Sequence, residues 1–177
     1  SGVATGTRAV AMAAEKLTPD RIITTGSLSN ALRVVLAAGG STNALIHLTA
    51  MAGRVGVLVD LEAFDRMGRE TPVLVDLKPT GQGYMEDLHR AGGLTSMLRE
   101  LRGQLDLTCM TVTGKTLGQN IDDAPAAWPQ DVVRPFKTPI YPNGAMAVLR
   151  GNLAPNGAII KQAAAAAQSG AWLRPII

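Results

Sequence analysis

Cys109 is the only cysteine among 177 residues, which excludes an intrachain disulfide and fits a reducing cytoplasm. Aromatic side chains make up only 3% of the sequence, so a core has to be built from Ala, Leu, Val, Ile and the seven Met. Such small and aliphatic side chains favour closely packed helices and buried strands. No apolar run approaches the roughly 20 residues needed to cross a bilayer; residues 31–38, interrupted by Arg33, are among the longest. Basic residues are not clustered or interleaved with aromatics, so a net charge of +3 gives no nucleic-acid surface. Residues 1–17 read as a small-residue amphipathic helix rather than as a basic segment followed by an apolar signal core.

What is present is an ordinary globular composition, 46% hydrophobic and 18% charged, long enough for one real core. Val3, Val10, Met12, Ala13 and Leu17 form a helical stripe, after which Thr18-Pro19 suits the start of a new turn. A second helix is expected to begin after Ser27 or Ser29 and to stop at Gly39-Gly40. Ser41-Thr42-Asn43 then caps a third over residues 44–53. Residues 60–69 place Leu61, Phe64 and Met67 on one helical face. Pro72-Val73-Leu74-Val75-Asp76-Leu77 reads as a buried strand, and Met110-Thr111-Val112-Thr113 as another. Residues 84–91 and 95–102 read as helices separated by Gly92-Gly93. Alternation of helix and strand points to α/β layers.

Beyond Ala124, Pro125, Pro129, Pro135, Pro139, Pro142 and Pro155 favour extended segments and turns. Met146-Ala147-Val148-Leu149 and Ala158-Ile159-Ile160-Lys161 suit paired strands. The expected organisation is a partial α/β domain over residues 1–124, a linker and first strands of a β-rich domain over 125–166, and an atypical tail over 167–177 that opens within a low-complexity alanine tract.

Several polar groups are candidates for chemistry, each beside a structural alternative. The glycine pair before Ser41, Thr42 and Asn43 offers backbone N–H groups, hydroxyls and a helix dipole to a carboxylate or phosphate, or is simply a helix cap. Lys78-Pro79-Thr80-Gly81-Gln82-Gly83 follows the expected strand, where α/β sheets commonly bind ligands, or is a turn with a solvated lysine. Glu86 and His89 share a helical face while Asp87 is rotated about 100° away, so they do not complete a metal site. His47 suits a core or helix-face position. Thr113-Gly114-Lys115-Thr116 echoes a phosphate-binding loop, but Cys109 stands where its first glycine is needed. Cys109 itself has no activating neighbour and suits a small buried hydrophobe.

Five motifs occur in order: Gly39-Gly40-Ser41-Thr42-Asn43-Ala44, Pro72-Val73-Leu74-Val75-Asp76-Leu77-Lys78-Pro79-Thr80-Gly81, Tyr84-Met85-Glu86-Asp87-Leu88-His89-Arg90-Ala91-Gly92-Gly93, Thr111-Val112-Thr113-Gly114-Lys115-Thr116-Leu117, and Leu149-Arg150-Gly151-Asn152-Leu153-Ala154-Pro155. Together they resemble the dihydroxy-acid dehydratase and 6-phosphogluconate dehydratase family over residues 1–166. Met85-Glu86-Asp87-Leu88-His89-Arg90 is similar to the dihydroxy-acid and aldonic-acid branch.

The resemblance implies an internal piece of a hydro-lyase that converts 2,3-dihydroxy carboxylates, dihydroxy acids or sugar acids, to 2-keto acids in branched-chain amino-acid or sugar-acid metabolism. It also implies, for the complete enzyme, an iron–sulfur cluster acting on the leaving hydroxyl, magnesium on the substrate oxygens, a serine base and a homo-oligomeric assembly. The family's cluster cysteines and most magnesium ligands precede the matched region. Its last metal-binding glutamate and its base serine follow it. No catalytic or metal-binding residue is therefore carried over, Cys109 is no cluster ligand, and neither cofactor is expected to be held by this chain alone. Ser41, Thr42, Asn43 and Lys78 are expected to wall the substrate site. The alternatives are a non-catalytic small-anion-binding module and a structural or assembly fragment.

Overall fold

A computed structural model describes residues 2–78, 81–125 and 129–162. The alanine tract and the tail from residue 163 lie outside the described residues. The chain is helix-rich: α1 (Gly2–Ala14), α2 (Pro19–Ile22), α3 (Thr25–Ala37), α4 (Thr42–Arg54), α5 (Leu61–Glu70), α6 (Met85–Arg90), α7 (Gly93–Glu100) and α8 (Leu117–Asp122) precede the antiparallel strands β1 (Met146–Gly151) and β2 (Ala154–Lys161). This is the helical part of an α/β unit followed by the opening strands of a second, as the sequence suggests.

Local chemistry sets the helix starts. Asp60 accepts hydrogen bonds from the amides of Glu62 (3.0 Å) and Ala63 (3.2 Å) and so begins α5. Thr116 and Gln119 satisfy each other's amides at the start of α8, at 3.2 and 2.9 Å. The second helix of the sequence reading starts earlier than expected, because Thr24 and Ser27 make the same reciprocal box at 3.2 and 2.9 Å, placing Ser27 and Ser29 inside α3. Thr18 does stand before Pro19 at the first position of α2, without a side-chain cap bond.

Two strand expectations need correction. Residues 72–77 are extended and, apart from half-buried Asp76, buried, but they form isolated bridges instead of a ladder. Val73 exchanges bonds with Tyr141 and Ile140, both at 2.9 Å, while Leu74 donates to Ala37 (2.8 Å) and Asp76 to Val132 (3.0 Å). The facing chain carries Pro135, Pro139 and Pro142, which lack the N–H a continuous ladder requires. Residues 110–113 turn instead of extending: Gly114 takes φ +80°, Thr111 donates to Lys115 O at 3.0 Å, and the Thr111 and Thr113 hydroxyls bond each other at 2.9 Å. Only Met110 pairs as a strand would, in a single antiparallel bridge to Thr116, and local hydroxyl bonds organise the turn between them.

The hairpin itself matches the sequence reading and extends it, with Val148 opposite Ile159 and an irregularity between Leu149 and Gly151. Its root enters the helical core. Met146 (1% exposed) packs with Leu32, Leu36, Leu45 and Phe64 from α3, α4 and α5. Gly144 donates to Gly68 O at 2.6 Å, and a Cβ at Gly144 would stand 2.8 Å from that oxygen. Val148 N donates to Asp65 Oδ1 at 3.0 Å. A second core joins Ala37, Leu74, Val75, Met97, Leu101 and Val133. By contrast α1 buries nothing. Its expected stripe is solvent-facing at Val3 and Val10, 86% and 74% exposed, and among the stripe residues only Leu17, beyond the helix, is buried.

Truncating Met146 to Ala is expected to lower stability by about 2–5 kcal/mol, whereas Val10→Ala changes it by less than about 0.5, both measured by urea unfolding. Asp65 adds an acid-sensitive tie. Burial opposes its ionisation, but the Val148 amide, the Arg69 guanidinium and the charges of Arg69 and Arg150 together hold its carboxyl below the ordinary value of 3.8. A lowered folded pKa contributes stability that is present above pH ~3.8 and lost as pH falls through the folded value. The stability gap between the protein and Asp65→Asn should therefore narrow as the pH drops below about 3.8, which pH-dependent unfolding reads directly.

Candidate functional site

The turn between α3 and α4 is tighter than the sequence implied. Gly39 takes φ +64° and donates to Leu36 O at 3.2 Å, while Gly40 donates to Val35 O at 2.9 Å. A Cβ on Gly40 would lie 3.0 Å from both Val35 O and Val35 Cγ1. The glycine amides thus close α3 and are not offered to a ligand, which corrects that part of the anion-site expectation.

What remains open is the start of α4. Ser41 Oγ accepts from Asn43 N at 3.2 Å and caps the helix. Ser41 and Asn43 are exposed and Thr42 is half-buried. Among the described residues the Thr42 hydroxyl and the Asn43 carboxamide have no hydrogen-bond partner, so both can turn to a bound molecule at the positive end of a 13-residue helix. From the far end of the chain, Lys161 Nζ donates to Gly39 O at 2.7 Å.

Lys78 ends the extended segment 72–77 and begins the glycine loop. It is exposed, its ammonium donates to Tyr84 Oη, and it stands 4.0 Å from the Tyr84 ring centroid. Among the described residues no hydrogen bond or ion pair connects it to residues 41–43. Its loop is organised by Asp76, whose Oδ1 accepts from Gln82 N at 2.9 Å and whose carbonyl accepts from Gly83 N at 3.0 Å. A Cβ at Gly81 would come within 1.9 Å of Asp76 Oδ1, so only glycine fits there. Pro79 and Thr80 lie outside the described residues.

The other polar candidates take structural places. Glu86 pairs with Arg90 at 2.6 Å, Asp87 accepts from Tyr84 N at 2.7 Å, and His89 is exposed. His47 is also exposed, on the rim of an apolar groove of about 500 Å³ that includes Val34, Leu48, Leu94 and Leu98. Lys115 pairs with Asp123 at 2.7 Å. Cys109 is half-buried, and burial first, then Asp106, push its thiol up, the opposite of an activated nucleophile.

Among the described residues no three His, Cys, Asp or Glu side chains converge as a metal centre. With a single protonated thiol as the only sulfur donor of its kind, this set of side chains does not fit an iron–sulfur cluster, and its carboxylates near the helix starts are engaged in caps and ion pairs instead of facing a magnesium ion. Sequence spacing missed Lys161 and Asp76. The lysine reaches its acceptor across 122 residues, for which no local pattern exists. Asp76 is hidden inside an apolar run, although Gly81 and Gly83 shortly after it are the sign of a close backbone approach.

These features define a helix-rich α/β unit whose bundle is closed by an antiparallel hairpin, with a polar helix start open beside the hairpin root. Two family models match it: the N-terminal region of dihydroxy-acid/6-phosphogluconate dehydratases over residues 2–120, and the C-terminal region over residues 131–172. The chain is 44% identical over 162 residues to a dihydroxy-acid dehydratase of Ignicoccus hospitalis, covering 90% of this chain and 29% of that protein. It is 47% identical over 163 residues to an L-arabonate dehydratase of Azospirillum brasilense, covering 90% and 28%. A dihydroxy-acid dehydratase of Methanosarcina barkeri is 43% identical over 162 residues, again 90% and 29%. The chain belongs to the dihydroxy-acid/6-phosphogluconate dehydratase family, and it spans less than a third of the length of these relatives.

Replacing Gly81 by Ala is expected to cost about 1–3 kcal/mol, the usual penalty of overpacking, and to release the Gln82 and Gly83 amides from Asp76. Denaturant unfolding together with amide exchange at these two positions measures both effects.

Proposed function

We propose that this chain is the part of a hydro-lyase for 2,3-dihydroxy carboxylic acids that forms a wall of the substrate site, and that it is inactive alone. The observation carrying this reading is the family match, with both a dihydroxy-acid and a sugar-acid dehydratase at more than 40% identity. Loss of water from such a substrate removes the proton on C2 and the hydroxyl on C3, and the resulting enol becomes the 2-keto acid. A base must take the first and an acid must assist the second. Nothing in this segment is assigned either task. The iron–sulfur and magnesium chemistry belongs to the complete enzyme, as do its cytoplasmic location and homo-oligomeric state.

The segment's own contribution is binding. At the α4 start, the Thr42 hydroxyl and Asn43 carboxamide donate to a substrate carboxylate, with the helix dipole favouring its charge and Ser41 holding the first turn in shape. Lys78, braced on Tyr84, supplies a positive wall from the glycine loop. The division of the sequence into residues 1–124, 125–166 and 167–177 is part of the same proposal, as a division by origin; the core contacts of Met146 join the first two physically.

A stand-alone anion-binding module is favoured by the same unengaged groups on Thr42 and Asn43, and a pure assembly fragment by the exposed apolar side chains of α1. The purified 177-residue chain should produce no keto acid from 2,3-dihydroxyisovalerate or a pentonate, yet bind the pentonate saturably in calorimetry. Asn43→Ala should weaken that binding about tenfold, corresponding to ~1.4 kcal/mol. Turnover by the isolated chain, or a flat titration, contradicts the reading; defined oligomers with no binding favour the assembly fragment.

A further inference from the structure

We infer that Lys161 is a positioning residue for the α4 substrate wall, acting through the Gly39–Gly40 peptide; this rests on the reading of residues 41–43 given above. The carbonyl of Gly39 and the amide of Gly40 belong to one peptide plane. Its N–H end is held by Val35 O at 2.9 Å, and its C=O end by the ammonium of Lys161 at 2.7 Å. Both flanking residues are glycines, for which many backbone rotations are open, so the plane has no steric reason to keep its orientation once either end is released. Ser41 follows directly, and the direction of its cap decides where Thr42 and Asn43 point.

The lysine is itself well anchored. It is half-buried at the end of β2, opposite the fully buried Met146, and the next residue, Gln162, donates to Ala145 O at 2.9 Å. The root of the hairpin therefore supplies a fixed point, and the clamp transmits it to the start of α4. Among the described residues no carboxylate pairs with Lys161, so its charge adds to the positive end of α4 instead of cancelling it. A hydrogen bond from a charged donor is also stronger than a neutral one, which suits a clamp on a turn made of two glycines.

The test uses the full 177-residue chain with Lys161→Met and Lys161→Arg, read by amide exchange and by calorimetric titration with a pentonate. In Lys161→Met, exchange at Gly40, Asn43 and Ala44 should rise about tenfold or more while Leu36 and Phe64 keep their protection, and pentonate affinity should fall by a similar factor. Lys161→Arg, which keeps the charge and the donor, should restore both. Unchanged exchange at the turn overturns the clamp. So does loss of protection throughout the core, because the lysine would then be holding the fold instead of the turn. If the turn loosens as described but the unmodified chain binds no pentonate, the clamp stands and the substrate-wall reading fails.

Discussion

The structure depends on one buried contact, Met146 at the root of the hairpin set among Leu32, Leu36, Leu45 and Phe64. Helices α3, α4 and α5 each present an apolar face to this point, and without the methionine the three faces would enclose a gap. Because packing there is close enough that Gly68 and Gly144 touch backbone to backbone, the hairpin cannot shift without moving the helices. The polar ties follow from that fixed position. Asp65 finds the Val148 amide, and Lys161 finds the Gly39 carbonyl, because the core has already set the register.

The two matched regions share one core. The matches to N-terminal and C-terminal models are separate along the sequence, 2–120 and 131–172, but in the structure the first strands of the second close the core of the first. The α4 start, where the exposed polar groups are, lies at the junction. A hairpin residue bonded to the glycine turn is a natural outcome of that arrangement, and it makes the geometry of residues 41–43 a property of both regions.

Much of the fold was legible because its determinants are local. Ser41 caps α4 and Asp60 opens α5 as their side chains dictate, and the two apolar runs of the hairpin pair as their composition suggests, whereas the helix that Thr116 caps follows a threonine-rich turn and was not anticipated. The failures have equally physical causes. Residues 72–77 are apolar enough for a strand, but whether a ladder forms depends on a facing segment rich in proline. Residues 110–113 have threonines that suit a strand and also suit a turn, and Gly114 decided for the turn. The α1 stripe is helical as its spacing implies, but a packing partner is not encoded in that spacing. At the site, Ser41, Thr42 and Asn43 were visible as a cap and Gly39-Gly40 as a helix stop whose amides close α3 locally, while the arrival of Lys161 is a tertiary fact.

The hairpin completes the helical core and is not an appendage to it. The most direct measurement is thermal unfolding, followed by near-ultraviolet circular dichroism, of the 177-residue chain and of a version ending at Ala124. The shorter chain should show no cooperative transition. A sharp transition in the shorter chain within a few degrees of the full one would contradict it.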